Sequence, residues 1–470
     1  MVRLEVLDEA EIESIHRSSL RILEEVGLDL QQPDALEILF GSGAQVRDGR
    51  VYLPADLVER ALALCPSTVE LEGRGGSRAV LGDGSTHWHN LGGAREIHDA
   101  ATDSRRPAGI REVVDSARLL DALANVTTVT PFFTPLDVPG PIMALAMYRY
   151  TLSNTTKPLH GPGVQTAAEV RGVAEMAQVV GPPSRALTLG ISPVSPLRFP
   201  DAIIEAVLEA ARWKVPLGPL PCPLAGATAP LSLAGALAQQ NAETLALLVL
   251  AELVQPGLPV FSCGRISAID PRSGLSVWGG VEVGLAGAAT VQLGHRYPLP
   301  VNVYGFSTNS HTLDFQSGSE RSLNALLPAL AGADELSGIG EMDTGVCGSY
   351  AQMVCDDELA GSVHRACRGI AVDDDALAES VIARVVAGSG NFLGEKHSRR
   401  RLHQGEIFLT RMAERRAFSE WDRTGREQMK QRAQATAQRL IAEHDVAPLD
   451  PAAERELDAI LNKAREAAAG

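Results

Sequence analysis

The sequence has 470 residues, of which 45% are hydrophobic and 4% aromatic, and its formal net charge at pH 7 is −16. A chain of this length forms one large domain with additions or two to three smaller ones, and it has enough apolar residues for a large core. The acidic balance argues against nucleic acid as the main ligand, because phosphate binding needs a basic face. It is compatible with small anionic substrates, and it suits a cationic ligand or a basic partner.

Cysteine usage and hydropathy predict a cytoplasmic protein without a membrane span. The six cysteines form no C-x-x-C pair, and so few in a long chain favour reduced thiols. The N-terminus, MVRLEVLDEAEIESIHRSSL, lacks the apolar stretch of a signal peptide. No apolar run reaches the roughly 18 residues of a membrane span. The closest run, residues 242–254, contains Glu243 and Glu252, which favours a buried helix.

The first 85 residues predict an α+β appendage. Residues 8–26 carry apolar side chains at helical spacing and are followed by Gly27, a plausible C-cap. A second helix follows Asp34, and a third opens at Leu53-Pro54. Residues 68–82 alternate around a turn at 73–77, which predicts a hairpin.

From residue 86, short strands alternate with helices. The predicted strands cover residues 86–90, 126–132, 158–161, 186–192, 216–219, 259–263, 301–306 and 336–340. The predicted helices cover residues 109–122, 141–152, 165–179, 201–213, 231–254, 279–294, 317–331 and 353–370. Eight such units predict a (β/α)8 TIM barrel over residues 86–371. An open, doubly wound sheet is the alternative, although no G-x-G-x-x-G follows the first strand.

Residues 372–470 predict a charged helical extension. Asp373, Asp374 and Asp375 mark a helix start, and residues 425–441 and 451–469 have the pattern of solvent-facing helices. We expect these helices to wrap the barrel or to form a subunit contact in a homo-oligomer.

The strand ends identify the candidate site, because barrel enzymes place their chemistry in the loops after the strands. The residues there include His89, Asn90, Phe132, Phe133, His160, Arg265, Tyr304, Phe306, the loop from Ser307 to His311, and Glu341. Aromatic faces with a carboxylate would suit a quaternary ammonium group. The alternative is that the phenylalanines close the core and that single polar residues are structural.

Two further patterns suggest ligands. His87 and His89 share a strand face, an arrangement that resembles the metal site of amidohydrolases. The later strands offer only Cys222, Cys263 and Glu341, and inert thiols explain these cysteines better than a metal does. A metal-dependent hydrolase therefore remains an alternative. Arg265 and Arg198 could clamp a carboxylate or could form surface ion pairs.

Several long segments resemble the MttB superfamily, the trimethylamine methyltransferase family of corrinoid-dependent methyltransferases. They are DAATDSRRPAGIREVVDSARLLDAL (99–123), PLAGATAPLSLAGALAQQNAE (223–243), STNSHTLDFQSGSER (307–321), GADELSGIGEMDTGVCGSYAQMVCDDELAG (332–361) and GNFLGEKHSRRRLHQGEIFLTRMAERRAFSEWDRTG (390–425). Such ordered segments over most of the chain are far more specific than any single motif.

The resemblance implies a barrel that moves a methyl group from a methylated amine to the cobalt of a separate corrinoid protein. Cobalamin would then be bound by the partner, and this chain would hold no cofactor of its own. Trimethylamine methyltransferases carry pyrrolysine in the loop after the seventh strand. Here that loop, from Ser307 to His311, contains only ordinary residues. The chain therefore resembles the members without pyrrolysine, some of which demethylate glycine betaine.

The chemistry agrees with such a substrate, because a quaternary nitrogen leaves as a neutral amine and needs no general acid–base pair. On this hypothesis, Glu341 and the aromatic residues hold the ammonium group, and Arg265, His311 or His89 holds a carboxylate. We assign Asn309, His311 and Glu341 as catalytic and His89, Asn90, Phe132, Phe133, His160, Arg265, Tyr304, Phe306 and Tyr350 as substrate-binding, with no metal ligand. A non-catalytic methylamine-binding relative is the remaining alternative.

Overall fold

The computed structural model describes residues 3–161, 163–388 and 390–469. The α-helices are α1 (Glu9–Arg21), α2 (Pro33–Gly41), α3 (Ala55–Leu62), α4 (Ile110–Ala122), α5 (Met143–Ser153), α6 (Ala167–Val180), α7 (Pro183–Ala186), α8 (Asp201–Arg212), α9 (Leu233–Val254), α10 (Val281–Arg296), α11 (Phe315–Ala331), α12 (Tyr350–Cys367), α13 (Asp374–Leu377), α14 (Glu379–Ala387), α15 (Lys396–His403), α16 (Phe418–Arg423), α17 (Met429–Glu443) and α18 (Pro451–Ala469). A π-helical turn, Ile22–Val26, extends α1.

The strands are short. They are β1 (Asp29–Leu30), β2 (Gln45–Arg47), β3 (Arg50–Tyr52), β4 (Val69–Glu72), β5 (Arg78–Leu81), β6 (His87–Asn90), β7 (Glu96–Asp99), β8 (Ser104–Pro107), β9 (Leu159–Gly161), β10 (Leu187–Ile191), β11 (Arg198–Phe199), β12 (Leu217–Pro219), β13 (Leu224–Ala225), β14 (Ser262–Gly264), β15 (Ser267–Ile269), β16 (Ser276–Val277), β17 (Val301–Tyr304), β18 (Glu335–Ile339), β19 (Glu341–Met342) and β20 (Cys347–Gly348).

The N-terminal elements follow local sequence signals. Asp8 and Glu11 form a reciprocal capping box at the start of α1, which satisfies backbone donors that a helix leaves free at its N-terminus. Strands β4 and β5 pair antiparallel around the turn at residues 73–77, as the alternating pattern predicts.

Parallel strands form the centre of the molecule and confirm the α/β class. One sheet has the order β14–β17–β18–β6, and a second has the order β12–β10–β9. Single parallel bridges join their edges to neighbouring segments, at Leu217 with Val260 and at Val129 with Leu159. Most of these strands are buried throughout, as expected for parallel strands with helices on their outer side.

The strand predicted at residues 126–132 is wrong as a regular strand. Only Val129 makes a bridge, because Pro131 has no N–H to donate and side chains replace part of the ladder. The Trp88 N–H donates to Thr127 Oγ1 (3.1 Å), and the Thr130 N–H donates to Asn90 Oδ1 (2.9 Å).

Two helix boundaries differ from the sequence expectation for local reasons. Helix α12 begins at Tyr350 rather than at residue 353, because Ser349 caps it through the Gln352 N–H. Helix α17 begins at Met429 rather than at residue 425, since Gly425 and Arg426 both have positive φ angles that a right-handed helix does not accept.

The C-terminal helices pack against the helices of the central sheets. Ala433 and Ala437 of α17 are buried, as are Leu457 and Leu461 of α18. Arg149 on α5 forms ion pairs with Glu454 (2.6 Å) and Asp458 (2.8 Å) on α18. Among the described residues, no helix is both long enough and apolar enough to cross a membrane.

Candidate active site

Four polar or aromatic side chains meet where four neighbouring parallel segments end. Cys222 follows β12, Arg265 follows β14, Tyr304 ends β17, and Glu341 follows β18. Each of them influences the ionisation of another member of the group. The Cys222 thiol is exposed to solvent, yet the surrounding protein raises its pKa to about 11. We call the space between these four side chains the strand-end recess.

Glu341 is the only carboxylate among these four side chains. Its Oε1 accepts a hydrogen bond from the Thr308 N–H (3.1 Å), whereas its buried Oε2 has no partner within the described part of the chain. Burial raises the pKa of Glu341 to about 7, although Arg321, the Thr308 amide and Tyr304 oppose that rise. A buried carboxylate oxygen without a partner is costly, so it is suited to receive a cationic ligand.

An aromatic pair stands beside this carboxylate. The rings of Tyr304 and Trp278 lie 5.3 Å apart at a tilt of 43°, and the Arg265 guanidinium lies 5.1 Å from the Tyr304 ring centre. Burial, reinforced by Glu341, raises the pKa of Tyr304 well above its usual value, so its hydroxyl stays protonated. Sequence reasoning missed Trp278 because it lies in the long connection after β14, although its rarity as one of four tryptophans was a usable signal.

Asn309 fixes the position of Trp278. Its Oδ1 accepts hydrogen bonds from the Trp278 and Gly279 N–H groups, both at 2.8 Å. Its Nδ2 donates to the Ser276 carbonyl (2.9 Å). The amide of Asn309 is therefore engaged with the 276–279 segment, which presents the tryptophan to the recess.

Beneath the recess lies a buried polar layer. His89, His160, Asn302 and Glu335 are each at most 3% exposed. Asn302 Nδ2 donates to Glu335 Oε2 (2.5 Å) and contacts His89 Nε2 (2.9 Å). Asn302 Oδ1 accepts a short hydrogen bond from Arg265 Nη2, and Arg265 Nη1 donates to the Asn302 carbonyl (2.9 Å). Asn302 thus connects the buried anion Glu335 to the guanidinium of Arg265.

In this layer the two histidines are neutral and the glutamate is charged. Burial lowers the pKa of His89 to about 3 and also lowers that of His160, so both imidazoles are neutral. Burial alone would raise the pKa of Glu335, but His89, His160, Thr128 and Asn302 outweigh it and bring the pKa to about 2. Glu335 is consequently a charged group in the interior, and its partners stabilise the anion.

His89, His160 and Glu335 have a spacing that could accept a metal ion, since their ligand atoms lie within 4.8 Å of one another. The atoms that would bind a metal nevertheless already make contacts with other side chains. The Asn302 amide nitrogen contacts two of the three ligand atoms, and the positive charge of Arg265 acts on both imidazoles. These contacts describe a hydrogen-bonded layer around an anion, and they disfavour a second cation there.

The two histidines of the H-x-H pattern have different surroundings. His87 Nε2 bonds to Ser85 Oγ and to the Val80 carbonyl, both at 3.1 Å, next to the N-terminal hairpin. His89 Nδ1 bonds to the Asn90 carbonyl at 2.8 Å, within the polar layer. His87 is not part of the group with metal-compatible spacing.

The phenylalanines pack in the core, outside the group of four. Phe132 stacks on Phe133 with ring centres 4.6 Å apart, and Tyr350 meets Phe133 edge-on at 6.1 Å. Phe306 stacks on Trp88 at 4.8 Å. The Tyr350 hydroxyl, which has no partner among the described residues, lines a separate cavity with His98 and Gln434.

Two other predicted site residues make structural contacts. His311 is 73% exposed and lies 3.2 Å from Asp343, at the edge of the same face. The Asn90 side chain forms hydrogen bonds with the backbone of Thr130 and with the Leu91 carbonyl. The predicted roles of both side chains in the site stay predictions.

A buried ion pair holds the turn that carries Glu341. Arg321 Nη1 on α11 donates to Asp356 (2.9 Å) on α12 and to the Phe306 carbonyl (2.8 Å). Arg321 Nη2 makes a short hydrogen bond to the Glu341 carbonyl, and Asp356 accepts from the Gly340 N–H (2.8 Å). Sequence reasoning missed both residues because it considered strand ends and not helix faces.

Comparison with known proteins places this chain in a family. The family described as "Trimethylamine methyltransferase (MTTB)" matches residues 1–469. The chain belongs to the trimethylamine methyltransferase family. It is 31% identical to "Trimethylamine methyltransferase MttB" of Desulfitobacterium hafniense (strain DSM 10664 / DCB-2) over 448 residues, which cover 93% of this chain and 90% of the relative. It is 29% identical to "Glycine betaine methyltransferase" of Desulfitobacterium hafniense (strain Y51), over 97% of this chain and 96% of the relative.

A further relative and a solved structure both come from Methanosarcina barkeri. The chain is 28% identical to "Trimethylamine methyltransferase MttB" of Methanosarcina barkeri, over the whole of this chain and 97% of the relative. Among solved structures, the monomethylamine methyltransferase (MtmB) of Methanosarcina barkeri aligns with a TM-score of 0.52 at 13% identity, covering 94% of this chain and 88% of that one. At this identity the likeness concerns the fold alone. The resemblance expected from the sequence is confirmed.

Proposed function

We propose that this protein transfers a methyl group from a quaternary amine that carries a carboxylate, such as glycine betaine, to a separate corrinoid protein. The observation that carries the proposal is the unpartnered, buried Oε2 of Glu341 beside Tyr304. Two relatives of this chain are named trimethylamine methyltransferase and glycine betaine methyltransferase. Either amine would bring a methylated nitrogen to the Glu341 carboxylate.

The ammonium end of the substrate lies between Glu341 and the rings of Tyr304 and Trp278. Aromatic faces attract a quaternary ammonium by roughly 0.5–2 kcal/mol per ring, more when water is excluded. The full charge of the carboxylate adds to that attraction in a poorly hydrated site. Such a site orients the nitrogen without donating a hydrogen bond to it, which suits a group that has no N–H.

The carboxylate end of the substrate is bound by Arg265. Asn302 holds the guanidinium through its side-chain oxygen and its carbonyl, and the Tyr304 ring centre lies 5.1 Å from the guanidinium. A planar guanidinium recognises a carboxylate through two parallel hydrogen bonds. The negative Glu341 and the positive Arg265 would thus meet the ammonium and the carboxylate of a betaine, respectively.

The loop from Ser307 to His311 supports a quaternary substrate. All five residues are ordinary, and Ser307, Thr308 and Ser310 are buried and hydrogen-bonded within the loop and its neighbours. The loop offers no group that forms a covalent adduct with an amine. A quaternary nitrogen needs none, because it is already positively charged and leaves with the electron pair of the broken N–CH3 bond.

The corrinoid of the partner would supply a Co(I) nucleophile to accept the methyl group. The residues of this chain orient one methyl group outward, keep water away from the nitrogen and hold both substrate charges in place. We expect the partner to approach from the strand-end face, where His311 and Asp343 lie at the edge. No residue of this chain is assigned to hold the corrinoid.

The test is a transfer assay with the purified chain, reduced corrinoid proteins and a substrate panel. The panel contains glycine betaine, carnitine, tetramethylammonium and trimethylamine, with detection of the methylated corrinoid protein and the demethylated amine. We expect transfer from the betaines and little from trimethylamine. Transfer from trimethylamine alone, or from no amine with any corrinoid protein, would overturn the proposal. Stoichiometric metal with hydrolytic activity would favour a hydrolase instead.

We also infer that the eight parallel segments close into one (β/α)8 barrel. Support comes from backbone hydrogen bonds between segments that the two sheets do not pair, such as Thr127 N–H to the Trp88 carbonyl (2.9 Å) and Phe261 N–H to the Leu217 carbonyl (3.1 Å). Residues 1–85 and 372–470 would then be additions to a barrel at 86–371. A crystal structure that shows an open sheet edge would contradict this inference.

A further inference from the structure

Helix α11 carries a carboxylate, Glu320, that is not one of the four side chains of the strand-end recess but contacts the loop after β17. Glu320 Oε2 accepts hydrogen bonds from Thr308 Oγ1 (2.5 Å) and from the Asn309 N–H (2.9 Å). Its Oε1 accepts a third hydrogen bond from Gln316 Nε2 (2.9 Å), one helical turn earlier. Three donors therefore converge on one carboxylate, and hydrogen bonds to an ionised acceptor are the strong ones.

The two loop residues that Glu320 holds each contact a different ammonium-binding group of the proposed site. The Thr308 N–H donates to Glu341 Oε1 (3.1 Å), and Asn309 Oδ1 accepts from the Trp278 N–H (2.8 Å). A single intervening residue thus connects Glu320 to the carboxylate, and another connects it to the ring, that would face the ammonium group.

The backbone after Trp278 lies directly on the Glu320 carboxylate. A side chain at Gly279 would place its Cβ 2.1 Å from Glu320 Oε2 and 2.3 Å from Glu320 Cδ, so even a methyl group would force one of the two apart. The Gly279 N–H donates to Asn309 Oδ1 (2.8 Å), which keeps the glycine at this close approach. Close approach of a backbone is one of the reasons for which a chain uses glycine.

A second residue of α11 holds the other side of Trp278. Asn324 is buried and lies four residues after Glu320, on the same helix face. Its Nδ2 donates to the Trp278 carbonyl (3.3 Å) and to Ser307 Oγ (3.2 Å). The backbone of Trp278 is therefore held at its N–H by Asn309 and at its carbonyl by Asn324, and α11 determines where the indole lies.

We propose that Glu320 is a positioning residue that sets the spacing between the Glu341 carboxylate and the Trp278 ring, and thereby the fit for a quaternary ammonium group. This inference rests on the proposed function of the recess. Glu320 touches neither the substrate nor the methyl group, and it acts through Thr308 and Asn309. Its role is to accept their hydrogen bonds, and a glutamine oxygen can also accept them.

The kinetic test compares KM for glycine betaine and for tetramethylammonium in the transfer assay. In Glu320→Ala we expect KM to rise roughly threefold to thirtyfold for both substrates, the range that corresponds to losing one aromatic face. Glu320→Gln keeps an acceptor for the loop and should stay within about threefold of the unmodified chain. The control, Glu205→Ala on the exposed face of α8, should leave KM unchanged.

These variants also separate positioning from two other roles. A residue that only supports folding would lower the fraction of active protein and leave KM unchanged in the remainder. A loss in Glu320→Gln equal to that in Glu320→Ala would show that the negative charge itself attracts the ligand. Either result would overturn the proposal.

A double variant tests the contact between Gly279 and Glu320. Gly279→Ala should raise KM in the otherwise unchanged chain, because its Cβ would displace the Glu320 carboxylate. In Glu320→Ala the three atoms nearest to that Cβ are absent, so the same substitution should add less than about twofold. Equal effects of Gly279→Ala in both backgrounds would contradict the proposal.

Hydrogen exchange provides a measurement that needs neither a substrate nor methyl transfer. We expect amides of residues 276–280 to exchange at least tenfold faster in Glu320→Ala, while those of β17 and β18 keep their rates, as measured by mass spectrometry of peptides. If no amine is demethylated but exchange changes in this way, the proposed function fails and the positioning of Trp278 by Glu320 stands. Unchanged exchange in residues 276–280 would overturn the positioning role whether or not the chain transfers methyl groups.

Discussion

Glu341 is the residue whose ionisation should control substrate affinity. Its carboxyl is buried with one oxygen free of partners, and burial raises its pKa to about 7. Only the charged form attracts an ammonium group, so the affinity for a quaternary amine should rise with pH through this value. Between pH 6 and pH 8 the charged fraction of a group with this pKa increases about tenfold.

The Glu341→Gln variant should remove this pH dependence. We expect weaker binding of glycine betaine at pH 8 and an affinity that no longer changes between pH 6 and pH 8, measured by calorimetric titration. Glu205→Gln, which removes a carboxylate from the exposed face of α8, serves as the control with the same charge change. A pH-dependent affinity that survives in Glu341→Gln would show that another group titrates.

Asn302 should act as a positioning residue for Arg265. It holds the guanidinium through its side-chain oxygen and its carbonyl while its amide group binds Glu335. In Asn302→Ala we expect KM for glycine betaine to rise about tenfold to hundredfold, since a hydrogen bond to a charged group contributes about 1.5–3 kcal/mol. KM for tetramethylammonium, which has no carboxylate, should change little.

Comparing the two substrates distinguishes a role of Asn302 in positioning Arg265 from a general loss of structure in the variant. Asn241→Ala removes a similarly buried asparagine that bonds Ser19 and Tyr297 away from the recess, and it should affect both substrates equally. If Asn302→Ala also raised KM equally for both substrates, Asn302 would have a structural role only.

At the scale of elements, helices α11 and α12 support the turn that presents Glu341. Arg321 and Asp356 are each 1% exposed and form an ion pair at 2.9 Å. Removing one partner of such a pair leaves a buried charge without compensation, so Arg321→Met should lower the free energy of unfolding by about 3–5 kcal/mol. Arg111→Met, which breaks an exposed pair with Asp115, should cost less than about 1 kcal/mol.

A double variant tests whether the pair also serves the site. Arg321→Met/Asp356→Leu removes both charges and should regain much of the lost stability, as measured by denaturant unfolding. Activity should remain low, because the Phe306 and Glu341 carbonyls lose their common donor. Recovery of activity together with stability would show that Arg321 contributes to folding alone.

The positions of helices could be predicted from the sequence where the spacing of apolar residues matches the face that packs against the core. Helices such as α9 and α18 lie almost where apolar spacing puts them. The exception at residues 126–132 arose from Pro131 and from side chains that replace ladder hydrogen bonds, which hydropathy does not register. The strand-end rule selected Glu341, Tyr304 and Arg265, which lie together in the structure, and it also selected Phe132 and Phe306, which stack on Phe133 and Trp88 in the core. Alternation along a strand cannot tell an inward ring from an outward one when every position is buried.

Residues far apart in the chain form the candidate site, and the contacts between such residues could not be predicted from the sequence. Asn302 meets Glu335 and His89 across three strands, and Trp278 reaches the recess through Asn309. Both contacts depend on register and loop path, which only the folded chain defines. The family resemblance supplied the activity class but none of these contacts.

At the scale of the whole molecule, the C-terminal helices should unfold together with the central sheets. Leu457 and Leu461 of α18 are at most 4% exposed, and the ion pairs of Arg149 reinforce this contact. Leu457→Ala should therefore lower the free energy of unfolding by about 2–5 kcal/mol and should shift one single calorimetric transition. Leu231→Ala, at a position that is 70% exposed, should leave that transition within about 1 °C. A separate early transition in Leu457→Ala, with the main one unchanged, would show instead that the C-terminal helices form an independent unit.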